Sequence, residues 1–173
     1  MVELMVVVAI IGVLSGIVTL SWRAILPRES LNAEVRRLSD VIQTARSEAI
    51  SRSAEYQVVY DLETSTYWLL TPFGEKGEYE PEPERRRRLL QHQLPPDIRF
   101  DTITIDGEDF NSGEEVFVRF DAVGSSNAHT IVLAQEGKTT MHRTIEVLPL
   151  TGLIRFHDGI FERAPATDGD FEE

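Results

Sequence analysis

The sequence has no cysteine among its 173 residues. That excludes a disulfide framework, a thiolate zinc site and an iron–sulfur cluster. Basic residues are scarce: 17 Lys and Arg stand against 29 Asp and Glu, a net charge of −12. A generic polyanion binder needs a broad basic face, and this balance disfavours one. Histidine is equally thin, with 4 residues (His92, His129, His142, His157) and no HxxxH or HExxH pair, so no metal site is expected. The chain also lacks a G-x-S-x-G elbow, a Ser/His/Asp order and a phosphate-cradling glycine loop. No catalytic residue and no cofactor is therefore expected. The stretch from Asp106 to Glu115 is rich in oxygen ligands but breaks the EF-hand order, and reads as an acidic, solvated loop.

What the sequence does have is a dense apolar block at its start. From Leu4 to Trp22, nineteen residues (LMVVVAIIGVLSGIVTLSW) carry no charge. As a helix they would span roughly 28 Å, close to the ~30 Å hydrocarbon core of a bilayer. The apolar residues of the block, Leu4, Val8, Ile11, Gly12, Leu14 and Val18 among them, together surround that helix and leave no polar stripe. In lipid a helix satisfies its own backbone groups, so the β-branched content is no obstacle. A cleaved signal would need a basic n-region and a small-residue cleavage site, and neither is present. The expectation is a single transmembrane helix over 4–22. Glu3 stands at its lip, either reaching headgroup water or holding a functional pairing.

Glu3 followed by Leu4 and the run Ala9-Ile10-Ile11-Gly12-Val13-Leu14 resembles the N-terminus of the type IV pilin-like family. In that family a basic leader ends in Gly, followed by Phe-Thr-Leu, a hydrophobic residue and the Glu. Here Met1 stands where the Leu would be, and the leader is absent upstream. The expectation is a coding frame that extends upstream through such a leader, which a prepilin peptidase would process. The resemblance implies that Glu3 serves subunit assembly by pairing with the α-amino group of a neighbouring subunit. A carboxylate buried in a bilayer or filament core needs such a cation. The positive-inside rule, counting Arg23 and Arg28, would put the following domain in the cytoplasm. The resemblance implies the opposite: an inner-membrane, single-pass protein with its C-terminal domain in the periplasm.

Beyond the block, Leu31, Val35, Leu38, Ile42, Ala45 and Ala49 recur at steps of 4, 3, 4, 3 and 4. That is the stripe of an amphipathic helix over 30–53. Glu34, Arg36, Arg37, Asp40, Arg46, Glu48 and Arg52 are assigned to the opposite, solvated or subunit-facing side. Pro27 predicts a kink or break between the two stretches, with Ser30 able to cap a new helix. After Ser53 the period becomes 2. Tyr56–Tyr60 and Thr66–Thr71 read as a hairpin about the turn 62–65. Ile98 and Phe100 differ in parity from Ile103 and Ile105, which predicts a bulge near Asp101–Thr102. Val116, Val118 and Phe120 make another strand. His129–Gln135 and Thr139–Leu148 pair about a short turn, and Ile154 and Phe156 lie on a last strand.

The run Arg85-Arg86-Arg87-Arg88 follows Glu75, Glu78, Glu80, Glu82 and Glu84. It admits two readings: a near-neutral mobile loop, or a contact for an acidic partner subunit or DNA. The end of the chain, 165–173, reads as a flexible acidic tail.

Four further motifs resemble the H-type minor pseudopilins of type II secretion: Ala45-Arg46-Ser47-Glu48-Ala49-Ile50, Leu94-Pro95-Pro96, Phe120-Asp121-Ala122-Val123-Gly124-Ser125 and Thr151-Gly152-Leu153-Ile154. The expected fold is α+β and pilin-like: a long N-terminal helix (1–53) packed on an antiparallel β-sheet domain (54–164). The resemblance implies a structural subunit of the secretion pseudopilus, assisting filament initiation or tip assembly beside other pseudopilins. The alternative is a minor pilin of a type IV pilus, in assembly or DNA uptake. No nucleic acid enters the leading expectation.

Overall fold

The computed structural model describes residues 2–113, 115–137 and 139–162, with the backbone alone for Leu4, Ala9 and residues 12–28. One helix, α1 (Val2–Arg52), runs for 51 residues. The described strands are β1 (Tyr56–Asp61), β2 (Thr66–Leu70), β3 (Arg88–Gln93), β4 (Ile98–Ile105), β5 (Glu108–Phe110), β6 (Glu115–Phe120), β7 (His129–Gln135), β8 (Met141–Val147) and β9 (Ile154–Asp158). They form two antiparallel sheets, ordered β3-β2-β1-β6 and β5-β4-β7-β8-β9. The α+β class expected from the change of period is the observed one. The acidic tail expected over 165–173 lies outside the described residues.

The C-terminal half of α1 lies across both sheets, touching β1, β2 and β6 of one and β7 and β8 of the other. All six stripe residues are buried, from Leu31 to Ala49. They meet Val58, Tyr60, Tyr67, Leu69, Val118 and Phe120 from the first sheet, and Ile131, Leu133, Ile145 and Val147 from the second. A helix with one apolar side buries it against the helix-facing sides of both sheets. The small Ala45 and Ala49 let the helix backbone approach the sheets closely where they converge.

Local chemistry sets the turns. In the β1–β2 hairpin the Asp61 carboxylate accepts hydrogen bonds from the Glu63 and Thr64 N–H groups at 2.9 and 3.0 Å. The bulge in β4 falls between Phe100 and Thr102, as the parity switch predicted.

Four expectations need correction. The backbone stays helical through Pro27, so Ser30 lies inside α1 and caps nothing. One proline removes one hydrogen bond, which a long helix accommodates without ending. The acidic stretch after Ile105 is in part a strand: Asp106 and Gly107, at φ 51° and 89°, turn β4 directly into β5. An Asp-Gly pair suits that two-residue turn because both positions need positive φ. The arginine run is no free loop, since Arg88 opens β3 opposite Leu70. Finally, Glu34 is buried, although the helix periodicity assigned it to the solvated side.

Candidate assembly interface

The first turns of α1 are apolar and exposed. Met5, Val6, Val7 and Val8 are each more than half exposed, as are Ile10 and Ile11. Successive helical residues point about 100° apart, so four in a row cover every side of the helix. Glu3 sits in the first turn with its side chain exposed, where the positive end of the helix dipole favours a carboxylate. The side chains of Leu4, Gly12, Leu14 and Val18 are outside the described set, whereas those of Val8 and Ile11 are exposed. Among the described residues no helix is long and apolar enough to cross a membrane.

The other end of α1 carries a latch. Arg46 donates its Nε–H to the Gly124 carbonyl at 3.0 Å. Gly124 and Gly152 both have positive φ, +82° and +60°. A Cβ on Gly124 would lie 2.6 Å from Ile50 Cδ1, and one on Gly152 would lie 2.3 Å from Arg46 Cδ. The two loops are tied to each other by the Ser126 N–H, which donates to the Pro149 carbonyl at 2.9 Å. Glycine is thus needed twice over, for backbone conformation and for space. Three separately noted motifs, at residues 45–50, 120–125 and 151–154, meet at this one point.

A second link is polar. Glu34 of α1 lies 2.8 Å from His92 Nε2 of β3, and Arg37 approaches the same carboxylate at 3.6 Å. The buried acid therefore has a hydrogen bond and a neighbouring cation, which its burial requires. Neither member pointed to the other in the sequence, because 58 residues separate them. His129 is fully buried against Phe120, with Nδ1 2.9 Å from the Asn127 carbonyl. Burial outweighs that hydrogen bond and the nearby Asp106, lowering the imidazole pKa to about 4.

The arginine run divides its work. Arg85 pairs with Glu82 at 3.0 Å. Arg86 donates to the carbonyls of Glu80 and Pro81 at 2.8 and 3.1 Å. The Arg87 backbone bonds Thr71 and Phe73, and Arg88 stacks 4.4 Å from the Trp68 ring centroid. Phe73 lies near Arg52 at the C-terminal end of α1, so the run sits roughly 70 Å along the helix from Glu3. The two sequence-derived candidates are not one site.

This architecture has known relatives. Residues 34–151 match the family described as type II transport protein GspH. The chain belongs to the GspH family. Among solved structures, the GspH-family domain is similar to the minor pseudopilin EpsH from the type 2 secretion system of Vibrio cholerae. The TM-score is 0.58 at 12% identity, covering 78% of this chain and 99% of that one. A crystal structure of EpsH from the same organism matches with a TM-score of 0.54 at 14% identity, covering 78% and 98%. No curated protein matches the sequence. The resemblance to H-type pseudopilins noted in the sequence thus agrees with the family, and the pilin-like β-domain with the fold. The matched segment begins at Glu34 and contains Arg46 and Gly124 of the latch, ending one residue before Gly152.

Proposed function

We infer that this GspH-family chain works as a minor pseudopilin, a structural subunit assisting initiation or tip assembly of the type II secretion pseudopilus. Its helix is anchored in the inner membrane by residues 4–22, with the β-domain in the periplasm. Its partners are other pseudopilins, together with a prepilin peptidase if the N-terminus carries the leader that the family has. The observation that carries this is the contrast along α1: a C-terminal half buried on the chain's own sheets, and an N-terminal segment exposed and apolar on every side. Such a surface has no stable place in water. Lipid before assembly and neighbouring helices after it are the environments that fit. The type II family match favours secretion over the type IV pilus.

In this reading Glu3 pairs with a neighbouring subunit's α-amino group. Glu3→Ala should leave membrane insertion and the β-domain intact, since the change makes the helix more apolar. It should abolish cross-linking to the other pseudopilins, because one buried charge left alone costs roughly 3–5 kcal/mol. Wild-type cross-linking together with wild-type secretion would defeat the pairing role.

A further inference from the structure

Among the described residues, strand β9 is one edge of the five-stranded sheet, β5 being the other. Its ladder with β8 is set by two bonds beyond the strand ends: the Gly159 N–H donates to the His142 carbonyl at 3.0 Å, and the Leu148 N–H to the Leu153 carbonyl at 2.9 Å. Antiparallel pairs alternate between bonded and non-bonded, and the register Ile145↔Phe156 keeps the same parity between those two bonds. The backbone groups of Arg155 and His157 therefore turn toward β8. Those of Ile154, Phe156 and Asp158 turn outward, and no described residue takes them up.

This edge borders a groove of about 590 Å³ between β9 and the flank of α1, lined by Gln43, Arg46, Ile50, Leu153, Ile154 and Phe156. Ile50, Leu153 and Phe156 are large apolar residues left 43, 53 and 50% exposed here. Arg46 is half-buried, and only its Nε has a hydrogen-bond partner, the Gly124 carbonyl. Among the described residues no carboxylate lies within ion-pair distance of it. A guanidinium removed from water without an acid is an unbalanced charge. An unpaired strand edge is a template for another strand, and the apolar row beside it supplies the side-chain pockets that such a strand uses.

We propose that the groove between α1 and β9 receives an extended segment of a partner protein, which adds to the β9 edge as a further strand. Its inward side chains are aliphatic, and one inward carboxylate pairs with Arg46. Charge complementarity selects that occupant: the chain is strongly acidic overall, yet this groove holds a cation with no acid of its own. The assignment goes beyond the subunit role and stands on the groove's own residues.

The test uses the full-length chain in detergent and two blocked seven-residue probes. One is Thr-Val-Thr-Val-Thr-Glu-Thr and the other has Gln in place of the Glu, so the valines and the variable position share one face. Amide hydrogen exchange should slow at Ile154, Phe156 and Asp158 on adding the Glu probe. That probe should bind at least about fivefold tighter than the Gln probe, as expected for one charge-assisted pair. Arg46→Gln should erase the preference, and Arg46→Lys should keep part of it. Because Arg46 also supports the fold, a Glu probe N-methylated on its bonding edge serves as the independent measurement: it should not bind the unaltered protein. No slowing at the three amides, equal binding of the two probes, or binding of the N-methylated probe would each overturn the proposal. Slowing that grows with protein concentration and without any probe would make the occupant a second copy, and would overturn the choice of partner.

Discussion

The two ends of α1 obey different rules although they form one unbroken helix. From Leu31 to Ala49 the apolar residues occupy one stripe and disappear into the chain's own core. From Val2 to Ile11 they occupy every side, and the described ones stay exposed. The first pattern is complete within one chain. The second is complete only when something outside the chain covers it. A helix can be locally indifferent to this distinction, because its backbone hydrogen bonds are satisfied in either setting.

The largest expected effect separates the two ends by one chemical change. Ala45→Asp places an unpaired carboxylate in the core where no exposure remains. It should cost at least about 4 kcal/mol and leave the domain unfolded. Val8→Asp should leave the β-domain's circular dichroism and urea midpoint unaltered while blocking membrane insertion. Equal damage to the fold from both would erase the contrast.

Next comes pH, through a group in the buried core. His129 stays neutral in the folded chain down to about pH 4, whereas its unfolded value is 6.5. Between those values the unfolded state binds the extra proton, so stability is full above the upper value and falls as pH drops toward the lower one. The loss should approach about 3 kcal/mol. His129→Gln should flatten this part of the profile in urea titrations from pH 7.5 to 4.5. An unchanged slope in the variant would remove His129 as its source.

A smaller effect belongs to the latch. Gly152→Ala forces a Cβ into the Arg46 side chain at positive φ, and should lower stability by about 1–3 kcal/mol. A thermal melt reads this directly, and no change would mean that Arg46 moves aside freely. The smallest effect sharpens the comparison from the other side. Removing residues 1–28 should give a soluble, monomeric domain with an unfolding free energy, from urea titration, within about 0.5 kcal/mol of the full chain, since the buried stripe begins at Leu31. Aggregation of that fragment, while a cut at Ala54 stays soluble, would show that the stripe serves a partner.

Much of the fold was legible in the order of residues because it depends on local period. The stripe from Leu31, the β1–β2 hairpin, the bulge after Phe100 and the β7–β8 pairing all follow from side-chain spacing. The β4–β5 turn was misread as part of a solvated acidic loop, although Asp106-Gly107 is a hairpin signal even inside an acidic stretch. Strand β3 was not legible: Leu90 takes positive φ, and the register slips opposite Trp68, so no clean alternation survives. The candidate site divides the same way. Glu3 and the apolar block stand out by sequence alone, since a charge beside nineteen uncharged residues needs no neighbour to be noticed.

The order of residues alone marks where the helix is one-sided and where it is not, because hydrophobic period is a property of consecutive residues. Which charges are buried, and what they meet, follows from the packing of the sheets on the helix. Glu34 reads as a surface residue until β3 brings His92 to 2.8 Å. Arg46 reads as one more helix charge until Gly124 and Gly152 close around it from loops 78 and 106 residues away along the chain. Burial and electrostatic pairing depend on distance in space, and that is set by how the two sheets converge on the helix.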